Sequence, residues 1–304
     1  MKTWKFALPI LALTVVTMAW ADPPEVELGQ PKMTVHRMNN AHADAPTAGG
    51  TGALTPITAH GGPVMAGPIT AYVIWYGNWN QSNGTDTSAG QQIVRDFLDK
   101  VGGSPYFTIN TTYTGVSGGV ARGVETTDTG SQGTRLSDAK VQAVVSSAIT
   151  NGRLPNDPNG VYFVLTSSNV SENSGFCTRY CGWHTYGTIS GSNIKYSFVG
   201  NAARCLGGCA AQTVGPNGNA GVDGMISVIA HELEEAATDP NLNAWYDSAG
   251  AENADKCAWT FGSNMQVDGN GAYFNMTLGT RNFLIQRNLD ASNSKCYVAY
   301  KGAQ

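Results

Sequence analysis

The sequence predicts an α/β (α+β) fold: a mixed sheet with helices packed on it, followed by a loop-rich, disulfide-bonded C-terminal part. Three observations point there. Ile69–Trp79 (ITAYVIWYGNW) and Val161–Thr166 (VYFVLT) are dense in β-branched and aromatic residues, as buried strands are. Segments with helical periodicity alternate with them, which is the pattern of a sheet covered by helices. All six cysteines lie from Cys177 onward, in a stretch rich in Gly and Asn.

The N-terminus carries Lys2 and Lys5, an apolar run from Phe6 to Met18, and Ala19-Trp20-Ala21. That order describes a secretory signal peptide over 1–21. The apolar run is short for a membrane span. Removing it takes the net charge from -4 to -6, because Lys2 and Lys5 leave with it. A mildly acidic chain without a basic patch predicts no nucleic-acid partner, and no membrane contact after cleavage. Residues 22–68 are rich in Pro, Gly, Ala and His without periodicity, and read as a flexible N-terminal arm. The remaining 69–304 is expected to form a single domain.

Within it, Ser88–Val101 places Ile93, Val94, Phe97, Leu98 and Val101 on one helical face. Tyr106–Tyr113 reads as a further strand. Ser137 sits where an N-cap belongs, ahead of Val141, Val144, Val145 and Ala148 on a second helix. Ile194–Val199 (IKYSFV) alternates more than the other strands and reads as an edge strand. The helix of Val222–Trp245 follows it, apolar over Met225–Ala230 and closed by Pro240. Short strands are expected at Asn264–Val267, Tyr273–Met276, Phe283–Ile285 and Tyr297–Tyr300.

Cys177, Cys181, Cys205, Cys209, Cys257 and Cys296 make an even set in an exported chain. That favours three disulfides and a secreted, extracellular or periplasmic location. The two C-x3-C pairs either close locally or cross, leaving Cys257 to Cys296. The rival reading gathers those two pairs into a structural zinc site.

The chemistry concentrates at His231-Glu232-Leu233-Glu234-Glu235. On a helix His231 and Glu235 share one face, one turn apart. The spacing resembles the H-E-x-x-H helix of zinc peptidases, with Glu235 in place of the second histidine. It points to a zincin-like arrangement holding a divalent metal, zinc first, with His231 and Glu235 as ligands. Carboxylate-rich ligation also suits other divalent ions. Glu252 and Asp255, 17 and 20 residues beyond Glu235, are the candidates for the third ligand. Glu232 would be the general base. His184 is a further ligand or substrate contact, and His184 or Tyr246 could steady an oxyanion. Glu234 is expected in solvent, and Trp79 and Trp183 are candidate exposed aromatics.

From about Gly67 onward the chain resembles the EXORDIUM family, also called the phosphate-induced protein family. The likeness is carried by the WYGNW and VYFVLTSS strands and by Gly175-Phe176-Cys177 through Cys181-Gly182-Trp183-His184. It continues through Phe198–Asn201, Pro216–Gly218, Gly221–Ile226, Ala230–Leu233, Glu235, Asn243–Tyr246 and Ala254-Asp255. The resemblance implies a secreted protein, and its plant members are linked to the cell wall and growth. It implies no particular reaction. The expectation is therefore a divalent-metal-dependent hydrolase acting on a peptide or protein substrate. The alternative is a non-catalytic binding protein that contacts cell-wall polysaccharide.

Overall fold

The computed structural model describes residues 34–37, 49–50 and 54–300. The expected signal peptide, 1–21, lies outside the described residues. Six strands form the central sheet: β1 (Thr34–Arg37), β2 (Ile69–Tyr76), β3 (Val120–Asp128), β4 (Gly160–Thr166), β5 (Tyr180–Ile189) and β6 (Ser192–Gly200). Their order across the sheet is β1-β5-β6-β4-β2-β3. β3, β2, β4 and β6 run parallel, whereas β5 is antiparallel to β6, and β1 to β5. The mixed α/β class stands, with three disulfides in the C-terminal part.

Three longer helices are α1 (Ser88–Val101), α2 (Asp138–Thr150) and α3 (Ala220–Thr238). α1 begins where Thr87 Oγ1 accepts the Gly90 amide at 3.0 Å, a cap worth about 1 kcal/mol. It buries Ile93, Val94, Phe97, Leu98 and Val101, the face the periodicity gives. α2 follows Ser137 as expected, although Ser137 makes no capping hydrogen bond. α1 and α3 cover one face of the sheet and α2 the other. Along β5, Gly182 and His184 face α3, while Gly187 faces Gln142 of α2.

Several expectations are corrected. Ile194–Val199 is no edge strand: β6 sits between β5 and β4, and its alternation reflects the two helix layers it separates. Tyr106–Tyr113 is not a strand but a 3-10 turn over Phe107–Thr112. Thr108, Thr111 and Thr112 donate their hydroxyls to carbonyls three or four residues back, which favours the helical turn over an extended chain. The arm of 22–68 is in part built into the domain. β1 pairs with β5, Thr58–Ala59 pairs with Trp245–Tyr246, and Ile57 and Met65 are buried. Trp183 is fully buried and Trp79 nearly so, its Nε1 donating to Leu165 O, so neither is an exposed platform. The short C-terminal strands are Gln266–Val267, Tyr273–Phe274, Met276–Leu278, Arg281–Phe283, Asn288–Asp290 and Lys295–Tyr297. All but Asn288–Asp290, which was not expected, overlap the expected positions, with ends shifted by up to three residues.

The disulfides cross the two C-x3-C pairs: Cys177 to Cys205 and Cys181 to Cys209, with Cys257 to Cys296. All six cysteines are thereby used, which removes the structural zinc site between those pairs. The first two bridges tie the start of β5 to the turn ahead of α3. Bridges spanning 28 and 39 residues each stabilise the chain by about 3–4 kcal/mol in the chain-entropy model. Non-reducing peptide mapping should recover these three pairs, and Cys257→Ser with Cys296→Ser should lower the unfolding free energy by about that amount, read from a denaturant titration. Local Cys177–Cys181 peptides in the native protein would contradict the pairing.

Candidate metal centre

α3 is buried on nearly every side, from Gly221 to Thr238. Asn219 caps it through Oδ1, accepting the Val222 amide at 3.2 Å. Asp239 closes it, with Oδ1 accepting the amides of Asn243 at 2.6 Å and Ala244 at 2.7 Å. Its last two turns therefore carry His231, Glu232, Glu234 and Glu235 into the protein interior. Ionisable groups there need partners, since an isolated buried charge costs several kcal/mol.

The partners come from two directions. Beneath α3, β5 presents His184. Gly182, two residues earlier, makes the approach possible: a Cβ there would stand 2.6 Å from Val228 Cγ1 and 3.1 Å from Glu232 Oε1. Beyond α3 the chain returns through Glu252–Cys257. The Asp255 amide donates to Glu235 Oε1 at 3.1 Å, and Asn253 Nδ2 donates to Glu234 O at 3.2 Å. Lys256 pairs with Asp247, and the Cys257–Cys296 bridge holds the far end.

His231 Nε2 lies 2.9 Å from Glu235 Oε1 and 3.5 Å from Asp255 Oδ1. His184 Nδ1 lies 3.4 Å from both Glu232 Oε2 and Glu235 Oε2, and its Nε2 stands 3.8 Å from Glu252 Oε1. His184, His231, Glu232 and Glu235 side chains are shut from solvent, whereas Asp255 keeps 22% of its side chain exposed. Two trios of donors can each gather round one ion: His231, Glu235 and Asp255, and His184, Glu232 and Glu235.

Four carboxyl groups thus face two imidazoles. Burial opposes the charge on His184, but Glu252, then Glu232 and Glu235, outweigh it and hold the imidazole well above its ordinary value. His231 is raised in the same way, with Glu235 as the leading opponent of burial. Burial pushes Glu232 up to about 7, against the opposing pull of the neighbouring His184 imidazole. Glu235 moves the other way: burial is outweighed by His231 and then His184, which bring it down to about 2. The polypeptide asks for positive charge at this point. Glu232 Oε1 and Oε2, Glu235 Oε2 and both His184 nitrogens have no hydrogen-bond partner. Orphaned buried lone pairs aimed at one space are what a divalent cation satisfies.

The structure thus brings together His231, Glu235, Asp255, Glu232 and His184, with Glu252 behind His184. Tyr246 is placed elsewhere, its ring stacked on His60 at a centroid distance of 3.6 Å. Glu234 is not in solvent. It is fully buried, accepts Asn288 Nδ2 at 2.8 Å, and is held well above the usual carboxylate range by that burial. Asn288 Nδ2 also reaches Asn110 Oδ1 at 3.0 Å, and Asn253 Nδ2 reaches the same oxygen at 3.3 Å. Sequence reasoning missed this amide network. The one signal was Asn253 lying between Glu252 and Asp255.

The fold and site define a disulfide-bonded mixed α/β protein with a buried histidine–carboxylate centre between its longest helix and its sheet. Comparison with known sequences places it more narrowly. The chain belongs to the phosphate-induced protein family: the model of the phosphate-induced protein 1 conserved region matches residues 57–299. It is 33% identical to Protein EXORDIUM-like 3 of Arabidopsis thaliana, over 92% of this chain and 94% of that one. It is 33% identical to Protein EXORDIUM-like 5 of the same plant, over 78% and 76%. Protein PHOSPHATE-INDUCED 1 of Nicotiana tabacum is 26% identical over 78% and 86%. No solved structure matches the chain. The three disulfides fit a secreted or extracellular protein. No described helix is long and apolar enough to cross a membrane.

Gly182→Ala should destabilise the protein by about 1–3 kcal/mol through overpacking against α3, read as a lower urea midpoint without loss of disulfides. Asn288→Asp tests the network behind Glu234. It removes two donated hydrogen bonds and buries a second carboxyl group, for roughly 3 kcal/mol. The new group's pKa is raised by folding, so its penalty grows as pH climbs past the ordinary carboxylate range. Chemical denaturation should show the larger loss at pH 8 and a smaller one at pH 5. An equal loss at both would discount the charge argument.

Proposed function

We propose that this protein is an extracellular, divalent-cation-binding member of its family, with a zincin-like centre formed by His231, Glu235 and Asp255. One observation carries the reading. A carboxylate one helical turn on and a second from the return segment lie within 3.5 Å of His231 Nε2, in a site otherwise closed to solvent. A bound divalent ion would supply fixed positive charge and Lewis acidity there. The chain's own residues orient the donors. The Asp255 amide fixes Glu235, α3 sets His231 against it, and Glu252 lies behind His184. Zinc or another divalent ion that accepts carboxylate is the class expected.

Burial favours a non-catalytic role, in which the ion locks α3 to the return segment. A polysaccharide partner would have to use side chains other than Trp79 and Trp183, which belong to the core. The second reading is a metal-dependent hydrolase, most naturally a peptidase. Two features favour it: burial pushes the Glu232 carboxyl up to about 7 beside the centre, the direction a general base needs, and Asp255 is partly open to solvent. Glu232 would then take a proton from water and pass it to the leaving group.

Metal analysis of the purified secreted protein, with His231→Ala beside it, decides the first claim. Wild type should retain a divalent ion that the variant loses. Chelation should lower its melting temperature, an ion at a hundredfold over its dissociation constant being worth about 2.7 kcal/mol. Wild type holding no more metal than the variant would sink the reading. Chelator-sensitive cleavage of a peptide library, abolished by Glu232→Gln, would promote the hydrolase over the binding protein.

A further inference from the structure

Glu235 has two carboxylate oxygens, and they face different donors. Oε1 looks toward His231 Nε2 at 2.9 Å, which Asp255 also approaches. Oε2 looks toward His184 Nδ1 at 3.4 Å, which Glu232 Oε2 approaches equally closely. We propose that the centre is dinuclear: a second divalent cation lies among His184, Glu232 and Glu235, and Glu235 bridges the two ions. This rests on the first ion proposed at His231, Glu235 and Asp255, and adds a ligand set on the opposite side of the same carboxylate.

Three features carry it. The first is satisfaction. Both Glu232 oxygens, Glu235 Oε2 and His184 Nδ1 are buried without hydrogen-bond partners, while Glu235 Oε1 already accepts the Asp255 amide. An ion at the first trio leaves the second group of atoms unanswered. The second is charge. Glu232, Glu235, Glu252 and Asp255 supply, when ionised, the four negative charges that two divalent ions neutralise with both imidazoles neutral, whereas with one ion the remaining balance falls to protons on His184 or Glu232. The third is ring orientation. His184 aims Nδ1 at the carboxylates and turns Nε2 toward Glu252, 3.8 Å away, where an outer carboxylate for a ligating histidine would stand. One imidazole with carboxylates for each ion suits manganese or zinc. A carboxylate bridge suits the separation of about 3.5–4 Å found in two-metal sites.

The two functional readings give Glu232 different work. A general base stays off the metal, whereas the dinuclear centre makes it a ligand. The test uses the full secreted protein loaded with Mn2+, measuring ions per chain by elemental analysis and magnetic coupling by electron paramagnetic resonance. Wild type should hold two ions per chain with an exchange-coupled spectrum. His184→Ala and the near-isosteric Glu232→Gln should each hold one ion, uncoupled, while melting curves confirm folding. One uncoupled ion in wild type, lost in His231→Ala, would overturn the second site and leave the first standing. Two ions retained in both His184→Ala and Glu232→Gln would overturn the assigned ligands. No ion in wild type would overturn both. If His184→Ala does not fold, Glu232→Gln and the wild-type spectrum carry the decision.

Discussion

The burial of acidic groups at the C-terminal end of α3 is the constraint that organises this molecule. Glu232, Glu234 and Glu235 are all shut from solvent on one helix. Carboxylates in that setting must be protonated, paired or bound to a cation. The environments differ on the two sides of the helix. Burial raises the Glu234 carboxyl well above the usual carboxylate range, beside the amides of Asn110, Asn253 and Asn288. Glu235 is kept charged beside two imidazoles. A helix with three acidic side chains in four positions would be unstable in a core that lacked either arrangement.

The surrounding elements follow from that need. The return segment 252–257 does more than connect: its backbone and side chains hydrogen-bond to the last turn of α3, and the Cys257–Cys296 bridge keeps it there. The crossed bridges perform the corresponding task for β5, fixing the strand that carries His184 to the turn before α3. The bridges therefore frame the acidic centre from both approaches. This accounts for the late clustering of all six cysteines in the sequence.

What the sequence disclosed depended on whether a residue's environment was local. α1, α2, β2 and β4 were legible within a residue or two, apart from the extra Gly77–Trp79 beyond β2, because one buried face or one apolar run defines them. That His231 and Glu235 meet the return segment was legible from helical spacing and a return of reasonable length, but whether Asp255 or Glu252 approaches them was left open until the structure placed Asp255 beside His231 and Glu252 beside His184. β5 was not, because Cys181, Gly182 and His184 obscure a strand pattern that only sheet pairing reveals. Glu234 was misplaced for a similar reason. Helical periodicity implies a solvent face, and α3 has almost none. The 3-10 turn at Phe107–Thr112 depended on hydroxyl-to-backbone bonds that residue propensities do not register.

β1 has a further consequence, for where the domain can safely be cut. It lies at Thr34–Arg37, outside the family-matched residues 57–299, yet it covers the outer side of β5 opposite His184. A chain trimmed to the matched region keeps both histidines, all four carboxylates and every cysteine. It also loses the neighbour of a long strand and leaves a row of unsatisfied backbone donors and acceptors at the sheet margin. Such an edge recruits another chain. Trimming to the region matched by the family model would therefore remove the strand that pairs with β5 along the stretch carrying His184.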